Sequence, residues 1–313
     1  MRKIVCILAL LCAPMFLSAQ GTCSSAAQDG SCGNHGQCAG HCPNQQQEHL
    51  SRKEKKARKA ACYIVQLADP QLGFNESGNI QSDIDNLNRA VDVINRLKPD
   101  FVVSTGDNVT VALDEHDTQL FFDCVKRLDP SIPIYYTPGN HDIHKLTPEV
   151  FQFWQKHYGE DRFSFHRKGS AYIGLNSTIV HEGPSDMEKE QFAWLEKELQ
   201  KAQKCRHKFV FCHIPVVSER MDEPDSYNSF PLSIRQKYFD LFHQYGVQAV
   251  FCGHLHRNGY VVTDKRMEIV ASNALGRSFT QVKPGLTIIR VGKEDYRHTY
   301  YSLEDAEKIT VLK

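Results

Sequence analysis

From Tyr63 onward, short apolar runs stop one after another at polar residues able to bind a metal, and this repeated ending restricts the fold more than any other feature. "YIVQL" leads to Asp69 and Gln71, "FVVST" to Asp107, and "IPIYYTPGNHD" contains Asn140 and His141. "KFVFC" is followed by His213, and "VQAVFC" by His254 and His256. Between the runs lie helical signals. Ile84, Leu87, Val91 and Ile94 recur at helical spacing until Pro99. Thr147 and Pro148 open a second helix that Gly159 closes, and the capping box "SDME" opens a third that runs to about Lys204. "FSFHRKGSAYIGLNS" reads as a hairpin, and residues 259–303 as mostly short strands. Strands alternating with amphipathic helices predict an α/β domain of layered sheets over residues 63–313.

The bulk properties agree with a globular chain: 41% hydrophobic and 24% charged over 313 residues, enough for a sizeable core and unlike disordered or collagenous sequences. The first 21 residues join Arg2 and Lys3 to an apolar run at 4–17 and then to small residues. That run fits the roughly 7–15 residues of a signal-peptide core and falls short of the ~20 a membrane span needs. The expectation is therefore a signal peptide over 1–21 and export to a periplasmic or extracellular space, with no membrane span after cleavage.

Residues 22–62 form a second region, a Cys/Gly/Gln-rich linker ending in the basic, helical run "HLSRKEKKARKA". Cys23, Cys32, Cys38 and Cys42 crowd together with His35 and His41, and Cys62 closes the region. In an exported chain this reads first as disulfides of unknown connectivity and second as a metal or partner module. Cys124, Cys205, Cys212 and Cys252 sit in apolar settings and read as buried thiols. Charge is divided unevenly. Residues 63–313 carry 29 Lys/Arg and 34 Asp/Glu, net −5, a poor footprint for nucleic acid. The basic run is a solvated helix face or an attachment to an anionic surface.

Five strand ends delivering carboxylates, amides and imidazoles to one edge make a site, because in α/β sheets the loops beyond the carboxyl ends converge. The mixed oxygen and nitrogen donors suit Zn, Fe, Mn or similar divalent ions. Two such ions can hold a hydroxide and clamp the attacking and leaving oxygens of a phosphoryl displacement. Two carboxylates offset only half the formal charge of two divalent ions, so the site stays positive toward a phosphate ester.

In this order, "DPQ", "GDN", "GNHD", "CHIP" and "GHLH" resemble the five-block signature of the calcineurin-like metallophosphoesterases, over roughly residues 63–303. The resemblance implies a four-layered α-β-β-α sandwich with two mixed sheets flanked by helices. It implies two divalent metal ions (Mn, Fe, Zn or Mg), with Asp107 bridging them. Asp69 and His256 would hold the first, with Gln71 beside it where most of the wider family carries histidine, and Asn140, His213 and His254 the second. His141 would protonate the leaving oxygen while Asp142 orients its ring, a pairing that acid–base logic also favours. Asn176, Tyr227, Arg257, Asn258 and Arg277 lie in polar loops and are candidates for reading the substrate.

The implied activity is hydrolysis of phosphomonoesters, on a phosphorylated small molecule or a phosphoprotein. A phosphodiesterase or nucleotide hydrolase would use the same site, and a catalytically silent metal- or phosphate-binding module is the alternative from another class.

Overall fold

Strands whose side chains are buried on both faces need partners above and below, and the observed layers supply them. The computed structural model describes residues 51–75 and 79–312. The leader segment and the Cys23 to Cys42 cluster therefore lie outside the described residues. Helix α1 (Arg52–Ala60) is the basic run, and it feeds β1 (Cys62–Leu67), whose six residues are all buried. Helix α2 (Ile80–Leu97) starts at Asn79, whose side chain accepts the Gln81 N–H, and stops at Lys98 in the left-handed conformation, φ 48°. Pro99 disfavours helical backbone at the residue before it.

Strand β2 (Phe101–Ser104), helix α3 (Glu115–Val125) and strand β3 (Ile134–Tyr136) follow. Helix α4 (Pro148–Tyr158) begins at Thr147 and ends at Gly159, and β4 (Phe163–Arg167) and β5 (Ser170–Gly174) form the expected hairpin. Next come α5 (Ser177–His181) and α6 (Asp186–Lys201), the latter capped by Ser185, which accepts the Glu188 N–H. The chain continues through β6 (His207–Phe211), α7 (Leu232–Tyr245), β7 (Ala249–Cys252), β8 (Gly259–Val262) and β9 (Glu268–Ala271). It ends with β10 (Gly285–Val291), β11 (Tyr296–Ser302) and the short α8 (Leu303–Ala306). Helices α3, α5, α7 and α8 fall where the sequence marked none.

Two mixed sheets result. The first runs β11-β10-β1-β2-β3, with β1, β2 and β3 parallel and β10 and β11 antiparallel. The second runs β4-β5-β6-β7-β9-β8, parallel except for β4 and β8 at its edges. Strand periodicity divides the side chains between layers. Tyr63, Val65 and Leu67 of β1 pack outward under α2 and α3, whereas Cys62 and Ile64 face inward with Phe101 and Val103. From the other sheet, Phe209, Phe211 and Phe251 meet them, and Val210 and Val250 turn outward to α6 and α7. Each fully buried phenylalanine contributes roughly 1.5–3 kcal/mol of burial free energy, so the aromatic middle layer is the firmest link between the sheets.

Cys62 is a free thiol in that layer rather than part of a disulfide framework. Cys124, Cys212 and Cys252 are buried thiols, while Cys205 is only half-buried. Gln66 ties the sheets together below the strand ends, donating to Thr105 Oγ1 (3.1 Å) and the Cys252 carbonyl (2.9 Å). Among the described residues no helix is long and apolar enough to cross a membrane.

Candidate metal centre

The carboxyl ends of β1, β2, β3, β6 and β7 bring the predicted donors together. Asp69, Asp107 and His256 form one group whose donor atoms all lie within 4.8 Å of one another, and Asp107, His213 and His254 form another. Asp107 belongs to both. All five of these residues are buried.

The backbone is bent to achieve this. Asp69, Gln71, Asp107, His254 and His256 all have left-handed φ, between 38° and 69°, five of the nine non-glycine residues that do so among the described residues. Such conformations cost about 1 kcal/mol or more per residue and persist where the surrounding structure enforces them. Two glycines make room. A Cβ on Gly139 would collide with the Asp107 carboxylate, and one on Gly253 with that of Asp69.

Each imidazole has one nitrogen committed to a backbone carbonyl, which turns the other inward. His213 Nδ1 donates to the Thr105 carbonyl (2.9 Å), His254 Nε2 to that of Tyr227 (3.0 Å), His256 Nδ1 to that of Arg277 (2.5 Å). The tautomers follow from these bonds. His213 Nε2 then lies 3.0 Å from Asn140 Oδ1, 3.1 Å from Asp107 Oδ2 and 3.2 Å from His254 Nδ1. Four lone-pair-bearing atoms converging on one point are what a cation takes and what protein donors alone satisfy poorly. Burial favours neutral His213, but the Asp107 carboxylate outweighs it and raises the imidazole to about 9. Burial and then His213 push His254 down to about 3.

Gln71 completes the fit. Its Oε1 and Nε2 are both buried without a hydrogen-bond partner, beside Asp69 in sequence. An amide in that state has an open acceptor for an ion or for water on one. Asn140 is held differently. Its Nδ2 donates to the Tyr227 hydroxyl (2.7 Å), which leaves Oδ1 for His213.

His141 donates its backbone N–H to Asp107 Oδ1 (2.8 Å), and its Nδ1 donates to the Thr110 carbonyl (2.7 Å). Nε2 is therefore the free nitrogen. The expectation that Asp142 orients this ring is not met. Both Asp142 oxygens are taken by the N–H groups of Gly139 and Asn108 and by the Asn108 side chain, at 2.9–3.1 Å. Asp142 braces the loop that carries Asp107 and Gly139, and Thr110 does the orienting.

The substrate candidates separate. Tyr227 is at the centre and 59% exposed. Asn176 is fully buried, capping α5 through Thr178 and donating to Asp161 Oδ2 (2.9 Å), so it is structural. Asn258 accepts the Asn273 N–H (2.9 Å) and ties two loops, and Arg257 pairs with Glu219 at 3.0 Å. Arg277 lies over Phe74 and Phe279, 5.5 and 5.6 Å from the ring centres, while Phe279 stacks on His256 at 4.4 Å. No motif marks Phe74 or Phe279. Their only signal is position, one just beyond Gln71 and the other just beyond Arg277.

A model of the family described as calcineurin-like phosphoesterase matches residues 63–258. The chain belongs to that family. This calcineurin-like phosphoesterase is 32% identical over 277 residues to the bovine (Bos taurus) serine/threonine-protein phosphatase CPPED1, covering 82% of this chain and 88% of that protein. It is also 32% identical over 186 residues to a probable glycerophosphodiester phosphodiesterase, GpdQ, of Arcobacter nitrofigilis, covering 58% and 66%. In fold it is similar to a dimetal phosphatase from Danio rerio, with a TM-score of 0.59 at 13% identity over 77% of this chain and 96% of the other. The protein is a hydrolase acting on phosphoric esters, with Asp and His groups that could hold metal ions.

Proposed function

We propose that this phosphoesterase hydrolyses phosphomonoesters, including those on proteins, with two divalent ions. The observation that carries the reading is the pair of donor groups sharing Asp107. Asp69, Gln71, Asp107 and His256 would hold one ion, and Asp107, Asn140, His213 and His254 the other. When bound, such ions draw charge from the phosphoryl oxygens and lower the pKa of water.

The chain's own residues account for the rest. Asp69 and Asp107 leave a net positive centre, which favours a dianionic monoester. His141, its Nδ1–H held by the Thr110 carbonyl, would as an imidazolium give its Nε2 proton to the leaving oxygen. Phe74, Phe279 and Arg277 offer a rim that combines apolar rings with a cation, suited to the group carrying the phosphate. Similarity to a serine/threonine-protein phosphatase across 82% of the chain supports a protein substrate.

The relative named as a phosphodiesterase supports diester hydrolysis as a second reading. Manganese-loaded protein assayed on p-nitrophenyl phosphate and its bis ester separates the two. Faster turnover of the monoester is expected, with loss of both activities in Asp107→Asn while circular dichroism shows the variant still folded. A bis ester cleaved faster would replace the monoester reading, and full activity in Asp107→Asn would end the two-ion assignment.

A further inference from the structure

At the opposite ends of the same strands lies a second polar site. Strand β1 has six residues, about 20 Å at ~3.3 Å per residue, and it carries Asp69 beyond one end and this site at the other. There, a cavity of about 430 Å³ is lined by Lys55, Arg58, Lys59, Lys98, Arg167 and Lys168. These cations come from α1, from the end of α2 and from the β4–β5 hairpin. Asp100 is the lone carboxylate among the lining residues. It is already engaged, by Lys168 at 2.8 Å, Arg167 at 3.0 Å and the Tyr63 N–H at 2.9 Å. Asp129 lies 3.6 Å from Lys98.

Six cations gathered around one saturated carboxylate repel one another, and the arrangement needs an explanation. Helix C-termini attract basic residues, and Arg58 does donate to the Leu97 carbonyl (3.0 Å). That accounts for Arg58, Lys59 and Lys98, and Asp100 answers Arg167 and Lys168, the latter also donating to the Ala61 carbonyl (2.6 Å), but one carboxylate leaves the cluster as a whole, Lys55 included, strongly positive. The backbone adds a second observation. Lys98 and Lys168 are both left-handed, at φ 48° and 49°, in positions where glycine or asparagine is favoured. Among the described residues only the metal centre shows more such residues. Both lysines reach the cavity from these turns.

We propose that this cavity binds a phosphate-bearing anion, remote from the catalytic centre, either as a lipid headgroup or as free phosphate. Lys55 and Lys59 are exposed and supply charge without structural bonds to a carboxylate among the hydrogen bonds and ion pairs described. Lys98 is held only loosely. An occupant would relieve the mutual repulsion, and it would leave the strand ends that carry Asp69 and Asp107 facing away from it.

The test compares the full-length, manganese-loaded protein with the variant Lys55→Ala/Lys59→Ala/Lys98→Ala. Co-sedimentation uses phosphatidylcholine vesicles with and without phosphatidylglycerol, and equilibrium dialysis uses inorganic phosphate. Hydrolysis of p-nitrophenyl phosphate should be the same in both chains, since none of the three residues belongs to the metal centre. At about fivefold per cation near an anionic surface, vesicle partitioning should fall by roughly a hundredfold in the variant. Such a fall identifies a headgroup site, because the apolar run at 4–17 is common to both chains. Loss of about one equivalent of bound phosphate, with no vesicle binding in either chain, identifies a free-phosphate site. The matching lysine-to-arginine variant should restore whichever binding is lost. Equal behaviour of the alanine variant and the wild type in both arms, or no recovery with arginine, overturns the proposal.

Discussion

Replacing Gln71 by leucine separates a metal ligand from a packing residue, because the two roles predict opposite signs. Both polar atoms of the Gln71 side chain are buried and unpartnered. A buried amide left without partners costs about 1–3 kcal/mol, and leucine fills a similar volume without that cost. In metal-free protein, Gln71→Leu should therefore be neutral or stabilising, by up to about 3 kcal/mol. For a chain of this size that is roughly 2–4 °C of melting temperature per kcal/mol. With saturating manganese the sign should reverse. The variant lacks one donor beside Asp69, Asp107 and His256, and a hundredfold weaker first ion would remove about 2.7 kcal/mol of linked stabilisation. Calorimetry after chelation, and again after manganese titration, reads both states. Equal destabilisation in the two states would refute the reasoning, since it would mean that the amide is paired within the protein. Gln71→His extends the test: an imidazole is a softer and stronger donor than an amide oxygen, so it should tighten the first ion and move preference from manganese toward zinc. Unchanged stoichiometry and preference would show that Gln71 does not weaken that position.

His141→Ala should lower kcat by about 10²–10⁴ while leaving metal content unchanged. Phosphoserine peptides should suffer more than p-nitrophenyl phosphate, whose leaving group needs no proton, and equal losses on both would assign His141 to holding the phosphate instead. Asp100 sits at the far end of β2, partly buried; burial would raise its carboxyl, but Lys168, the Tyr63 N–H and Arg167 outweigh this and hold it below the usual range. A depressed carboxylate contributes stability above its unfolded pKa, near 3.9, and loses it as pH falls through the lower folded value. Urea unfolding should thus show Asp100→Asn destabilised by about 1–3 kcal/mol at pH 7, with the gap to wild type closing below about pH 4. A gap independent of pH would mean that the contribution is not electrostatic.

Donor identity was legible at the metal centre because each ligand follows directly on an apolar strand, and a strand long enough to be buried is visible in any window of five residues. Direction was not legible. Asp69, Asp107, His254 and His256 take a left-handed backbone that their side chains disfavour, and nothing in their local sequence announces it. The conformation is imposed from the far side of the fold, as when Asp69 accepts the His254 N–H across the two sheets (3.0 Å). Ring orientation was equally hidden, since Thr105, Thr110, Tyr227 and Arg277 act through carbonyls that any residue would provide. The two misassigned residues share this cause. Asp142 and Asn176 have polar side chains next to the right motifs, but such side chains also cap helices and brace loops, and only the positions of the N–H groups around them decide which role is taken. Helix α7 went unmarked for a related reason: Pro231 opens it without a side-chain cap, so the Ser, Thr, Asp or Asn signal that revealed α4 and α6 is missing. It follows that substitutions at Thr110 or Thr105 which keep the backbone in place should preserve His141 and His213, whereas those that move the strand ends should disturb both rings without touching either histidine.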